Sequence, residues 1–169
     1  EIPGIGYYTC QKLQRLEQKT VEDLIHHYPF RYDDFSKTVQ VTELKVGEVV
    51  TLRGEIWSIK NIYTRSRKSL TRALFNDGTS TIELIWFHQP WLEKSLATGD
   101  RVQVSGKVGK KGTKFSILQP VWEKLSNTAQ VTGNTTLHTG RLVPIYPETD
   151  GLTSKWIRSK IQQLITLVE

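Results

Sequence analysis

Apolar side chains fall at every second position in two stretches of this chain. Val50, Leu52, Gly54 and Ile56 alternate with Thr51, Arg53 and Glu55, and Val102, Val104, Gly106 and Val108 alternate with Gln103, Ser105 and Lys107. A period of two puts each set on one sheet face, so both stretches read as half-buried strands. Between them, "FNDGTS" at 75–80 reads as a hairpin turn, its Asp-Gly pair supplying positive φ, with strands over about 70–76 and 80–88 on either side. After Pro90, "WLEKSLATGD" spaces Leu92 and Leu96 one helical turn apart and offers Gly99 to close a short helix. A last strand, over about 113–123, turns Phe115 and Ile117 inward. A long strand, a hairpin pair, a short helix and two more strands make the order of a five-stranded OB-fold barrel. Such barrels use the face of strands 2 and 3 and the loops 1–2 and 4–5 to hold single-stranded nucleic acid or oligosaccharide.

The pattern changes at both ends. In "KTVEDLIHHYP", Thr20 caps a helix with Asp23 at its third position, and Val21, Leu24, Ile25 and Tyr28 follow at i, i+3, i+4 and i+7 until Pro29 stops it. Leu13 and Leu16 predict a shorter helix before it, opening on "PGIG". That opening reads either as a tight turn between packed helices or as a phosphate-binding helix start, the turn being favoured. Residues 126–151 are a Thr- and Gly-rich connector without periodicity. Ile157, Ile161, Leu164, Ile165 and Val168 then mark one face of a terminal helix capped by Thr153 or Ser154. The predicted organisation is mainly β with flanking helices: an N-terminal helical pair over 1–35, the barrel over 36–125, and a connector and helix over 126–169.

Composition narrows the function. At 169 residues, 37% apolar and 24% charged, the chain supports one cored domain with appendages. Its net charge of +6 attracts polyanions. The distribution is more informative than the sum. No acid lies between Ile56 and Asn76, where Lys60, Arg65, Arg67, Lys68 and Arg72 stand; none lies between Val102 and Trp122, where Lys107, Lys110, Lys111 and Lys114 follow Arg101. On the predicted barrel these ten cations border one groove, as loops 1–2 and 4–5, and read either as a nucleic-acid footprint or as two solvated loops kept soluble by Lys and Arg, the footprint being favoured. If about five of them meet phosphates, log K falls against log salt with a slope near −3.5 to −4.5. Cys10 stands alone, so no internal disulfide forms and a reducing cytoplasm is implied. No signal peptide and no apolar run of membrane-spanning length appears. With no Met and an N-terminal Glu, the chain reads as a piece of a longer polypeptide.

The stretch "IELIWFHQPW" at 82–91 holds the candidate base contacts. Ile82, Leu84 and Trp86 share the buried phase, whereas Phe87 falls out of it. Trp91, about 100° from Leu92 on the short helix, lies off the face that Leu92 and Leu96 bury. Phase leaves two readings for Phe87 and Trp91: a stacking platform for bases, or packing beneath a neighbouring segment.

Other chemistry finds no support. "GKVGKKGTK" lacks P-loop spacing and sits between strands, so ATP hydrolysis is not expected of this chain. His26 and His27, adjacent on a helix, face different ways, and His88 and His138 lack ligand-spaced partners, which argues against a metal site. Asp33 and Asp34, on consecutive extended residues, diverge and are expected to form a turn or pair with Arg31. No catalytic site is predicted.

Four stretches together, "PGIGYYTCQKLQRL", "TVEDLIHHYPFRYDD", "DGTSTIELIWFHQPWL" and "GRLVPIYPETDGLTSKWIR", resemble in order and spacing the N-terminal wedge region of RecG-type branched-DNA helicases. The resemblance covers almost the whole chain. It implies an OB-fold wedge that binds the branch of a stalled replication fork or Holliday junction and parts its strands. Two ATP- and Mg-dependent motor domains, outside this chain, would pull the duplex arms past it. It also implies that the family's base-stacking pair falls on Phe87 and Trp91. Trp91 stands where Tyr is usual, a change that keeps the stacking surface, and His88 stands where Asn is common.

The expected role is therefore a non-catalytic DNA-binding wedge for repair, recombination and fork regression. It would be a monomer in the bacterial cytoplasm, on nucleoid DNA, with no membrane partner and no cofactor of its own. The terminal helix, leading toward the first motor domain, is expected to leave its apolar face exposed or paired with another copy. Two rivals remain: a stand-alone OB module for single strands, and a protein-docking domain that uses the terminal helix and exposed aromatics.

Overall fold

The computed structural model describes residues 4–64, 68–125 and 136–168, with the backbone alone for Lys111, Leu167 and Val168. Two compact units emerge: residues 34–142, and residues 1–33 together with 143–169.

In the larger unit, alternation becomes a closed ring of strands. β2 (Val49–Tyr63) pairs antiparallel with β3 (Ser69–Asn76) through its second half and with β5 (Arg101–Lys111) through its first. β3 pairs antiparallel with β4 (Thr81–Phe87), β4 runs parallel to β6 (Lys114–Leu118), and β6 returns antiparallel to β5. The cycle β2–β3–β4–β6–β5–β2 is the strand order of an OB fold. Inward positions fill it with Leu52, Ile56, Phe75, Leu84, Val104 and Ile117, and α3 (Leu92–Ser95) adds Leu92, with Leu96 just after the helix. β2 passes from one partner to the other near Gly54. A Cβ there would collide with the Asn76 carbonyl and the Phe75 ring, so only glycine lets the strands approach. A register shift between Ile56 and Ser58 then bends β2 and leaves Trp57 exposed.

Several elements depart from the sequence expectations. The last strand divides into β6 and β7 (Val121–Lys124), because Gln119 adopts φ 50° and Pro120 cannot donate to a ladder. In the "FNDGTS" turn only Gly78 has positive φ; the Asp77 carboxylate shapes the rest by accepting from Thr79 and Ser80. Gly99 does not end α3, whose last residue is Ser95; it turns the chain so that its N–H reaches the Ile56 carbonyl. Of the connector, residues 126–135 lie outside the described residues. Residues 137–139 are held by Glu123, whose carboxylate accepts the Leu137 and His138 N–H groups and the Thr139 hydroxyl.

The smaller unit joins the two ends of the chain, which the linear division kept apart. α1 (Tyr7–Gln14), α2 (Val21–Ile25) and α4 (Ser154–Val168) share a core of Leu13, Leu24, Tyr146, Leu152, Ile157, Ile161 and Leu164. The apolar face of α4 is thus covered within the chain over Ile157, Ile161 and Leu164, contrary to the expectation of an open or self-pairing helix, while Ile165 remains exposed. Thr153 caps it, accepting the Trp156 N–H. The Thr20–Asp23 capping box forms on α2, and backbone N–H donors from Lys19 and Thr20 hold Asp23 below the usual carboxylate range. That helix has only five residues, so Val21 and Tyr28 do not join the core and stay exposed. β1 (Arg31–Asp34) and β8 (Leu142–Ile145) form a two-stranded sheet that periodicity did not predict. No described helix is long and apolar enough to cross a membrane.

Candidate nucleic-acid interface

Strand phase separates the crowded aromatics. Trp86 points inward with 1% of its surface exposed and donates its indole N–H to the Pro120 carbonyl at 2.9 Å. Phe87, one residue on, points out at 39% exposure, and Trp91 is 52% exposed at the start of α3. The turn between them is fixed from three sides. His88 takes φ 57°, which halts β4, and its N–H reaches the Ser69 carbonyl at 3.0 Å. The Thr71 hydroxyl donates to the Gln89 carbonyl at 2.8 Å. Gln119 donates its side-chain amide to the Phe87 carbonyl and accepts from that of Gln89, while its own N–H reaches the Ile85 carbonyl at 2.7 Å. Leu92 is buried beneath, so Trp91 is carried on an anchored helix start.

Register extends this platform over the outer face of the barrel. Ile62, Leu70 and Phe87 are direct cross-strand neighbours on β2, β3 and β4 and make an apolar row. Next to it runs a second row, Lys60, Arg72, Ile85 and Leu118. The surface is therefore apolar along one line, while the next line carries two cations, Lys60 and Arg72, on β2 and β3 and two aliphatics, Ile85 and Leu118, on β4 and β6, a mixture that offers contacts to bases and to phosphates. Ile62, Leu70 and Gln119 were missed by sequence reasoning. Counting register outward from the "FNDGTS" turn would have placed Leu70 beside Phe87.

The predicted phosphate contacts lie mainly on strands, not in loops. Lys60 and Arg72 stand within the β2–β3 ladder, and Lys107, Lys110, Lys111 and Lys114 within β5 and β6, because both hairpins stay paired almost to their turns. Lys60, Lys68, Lys107, Lys110 and Lys114 are exposed. Lys110 lies over the Phe115 ring, 5.7 Å from its centroid. Arg65 and Arg67 lie outside the described residues, as does the side chain of Lys111. Arg72 is ion-paired with Glu83, an acid remote in sequence that the neighbouring strand brings to it. Ser69, paired with Tyr63, lies beyond the Leu70–Phe87 pair at the C-terminal end of β4, whereas β6 starts beside the N-terminal end of β4, so Lys68 and Lys114 stand at opposite ends of that strand. The larger unit has 16 Lys and Arg against 9 Asp and Glu and the smaller 7 against 8, so the positive excess belongs to the barrel.

The remaining candidates are occupied structurally. "GKVGKKGTK" is the β5–β6 hairpin, turning at Gly112 with φ 62°, and opens no helix. Gly6 is the N-cap residue of α1, its carbonyl accepting from Thr9 and Cys10. His27 stacks on Tyr146 at 5.6 Å, and His26 Nδ1 lies 2.9 Å from the Glu22 carbonyl. Arg31 pairs with Asp33 at 3.4 Å, and Asp34 accepts from Ser36 in a turn. Among the described residues, no three His, Cys, Asp or Glu side chains gather as a metal ion would need.

Comparison with known proteins points one way. The family model described as "RecG wedge domain" matches residues 2–168. The chain is 30% identical over 164 residues to the ATP-dependent DNA helicase RecG of Thermotoga maritima, covering 96% of this chain and 20% of that protein. It is 31% identical over 167 residues to the RecG of Bacillus subtilis, covering 98% and 23%. A solved structure of RecG bound to a three-way DNA junction is 28% identical and superposes with a TM-score of 0.75 over 96% of this chain and 21% of that one. This chain thus spans about a fifth of its relatives' length. Matching the family model over residues 2–168 and superposing on a RecG structure over 96% of its length, the chain belongs to the RecG wedge domain family.

Proposed function

We propose that this chain binds branched DNA at the outer face of β2, β3 and β4, where Phe87 and Trp91 cap bases unstacked at the branch point. The observation that carries it is the turn at 87–91, which holds two large aromatics in solvent on a backbone bonded to β3 and to Gln119. Burying such rings inside the barrel would be worth more for folding than exposing them, so their position favours a ligand with a π-face. Lys60, Lys68, Arg72, Lys107, Lys110 and Lys114, with Arg65, Arg67 and Lys111, supply cations for phosphate. The mechanism is steric and electrostatic. Aromatic caps replace the stacking lost as pairs separate, and flanking cations draw the two strands apart. Similarity to RecG on a three-way junction supports this choice of substrate.

In the parent polypeptide, motor domains holding ATP and Mg would supply the force, in fork regression and repair in the bacterial cytoplasm. The wedge itself acts as a monomer without cofactor.

Fluorescence anisotropy on matched fork, duplex and single-stranded oligonucleotides tests this. The native chain should prefer the fork, and Phe87→Ala with Trp91→Ala should reduce that preference while leaving the salt slope in place. Equal affinity for all three substrates would instead make the chain a single-strand module. Absence of binding at any salt would favour protein docking.

A further inference from the structure

The outer face contains one contact that opposes DNA binding. Glu83 is the single acid in the segments 58–63, 69–76 and 81–87, and its carboxylate pairs with Arg72. Their side chains are 30% and 45% exposed, so water screens the pair and holds it weakly. Arg72 lies between Lys60 on β2 and Ile85 on β4, next to the row of Ile62, Leu70 and Phe87. That row crosses three strands, about 10 Å, which accommodates more than one unpaired base. A guanidinium takes phosphate in the same bidentate geometry as carboxylate, and Lys60 on the neighbouring strand adds a second cation that favours the phosphate.

We propose that a single strand leaving the aromatic caps crosses this face along the Ile62–Leu70–Phe87 row, and that its phosphate displaces Glu83 from Arg72. Glu83 is then a built-in competitor that sets how tightly the face holds a strand. The inference rests on the branched-DNA reading and adds to it the path of one strand and the residue that opposes it.

The test titrates salt against an oligothymidylate of about 15 nucleotides, and against the fork, for the native chain, Glu83→Gln, Arg72→Gln and the double variant. Glu83→Gln should bind the oligonucleotide roughly five-fold more tightly at low salt, with a log–log slope steeper by about 0.7. That gain should collapse in the Arg72→Gln background. An equal gain with and without Arg72 would reduce Glu83 to general repulsion and overturn the competition, as would a neutral Glu83→Gln. Leu70→Asn and the more exposed Ile62→Asn should each weaken binding several-fold at unchanged slope; unaltered affinity in both overturns the path. A chain that binds forks but ignores Glu83→Gln keeps the branched-DNA reading and loses this inference, whereas a chain that binds neither probe loses both.

Discussion

The indole N–H of Trp86 donates to the carbonyl of Pro120 at 2.9 Å, tying the strand that presents Phe87 to the kink between β6 and β7. Pro120 has no N–H of its own and sits where the ladder is broken, so this carbonyl depends on a side-chain donor. Trp86→Phe removes the donor and some buried volume while keeping an aromatic ring. It should lower stability by about 2 kcal/mol, read as a lower urea midpoint at unchanged m-value. A native-like midpoint would mean that the bond is not holding the kink.

The two units should respond to acid in different windows. Burial pushes the His27 imidazole below its ordinary value near 6.5, although a hydrogen bond to the Pro147 backbone pulls the other way. The unfolded chain then takes up a proton that the folded one refuses, so stability falls as pH drops below about 6.5 and levels off below the folded value. In the barrel, burial raises the Asp77 carboxyl, but hydrogen bonds from Val41, Thr79 and Ser80 outweigh it and leave it below the usual 3.8. Its contribution is present above that value and lost as pH falls through the folded value. Protection factors in α4, taken relative to the slower intrinsic exchange in acid, should therefore fall as pH drops below about 6.5, while those of β3 and β4 hold until pH falls below 3.8. His27→Gln should flatten the first change and leave the second.

These predictions draw on features of unequal visibility in the sequence. The strands were legible because the barrel interior takes apolar side chains, which puts Val50, Leu52 and Ile56, or Val102, Val104 and Val108, at every second position, even though the polar residues between them, Thr51, Gln103 and Ser105, are buried too and the strands are not half-exposed there as expected. The phase of Trp86 against Phe87 followed from the same rule. What periodicity cannot carry is pairing between distant segments. Nothing local to Leu13 or Ile161 announces that they share a core, and the Arg72–Glu83 pair emerges only when register is counted out from the hairpin turn. Short elements were misjudged for a related reason. Five residues of α2 cannot bury a four-position stripe, so Val21 and Tyr28 stayed in solvent.

Gly54 tests the closure of the barrel. Its missing side chain lets the Asn76 backbone and the Phe75 ring come against β2, and neither can retreat without opening the β2–β3 ladder. Gly54→Ala should cost about 1–3 kcal/mol, measured by thermal or urea unfolding. A neutral or stabilising substitution would show that the strands can part at no cost, and would remove the steric reason for a glycine here.

Glu123 fastens the returning chain to the barrel. Its carboxylate accepts the Leu137 N–H at 2.9 Å, the His138 N–H at 2.8 Å and the Thr139 hydroxyl at 2.6 Å, and Gln103, buried on β5, donates to that same hydroxyl at 2.9 Å. The Gln103 amide packs so closely on Gly140, with φ 68°, that a side chain there would displace it. Three donors converging on one carboxylate make charge-assisted bonds, and removing the acceptor strands two backbone N–H groups. Glu123→Ala should thus speed exchange of the 137 and 138 amides by at least ten-fold, equivalent to about 1.4 kcal/mol of local opening, while β2–β5 amides change far less. Glu123→Gln, which keeps an oxygen acceptor but loses the charge, should fall between the two. Uniform loss of protection across the barrel would show instead that Glu123 supports the whole fold and is no local latch.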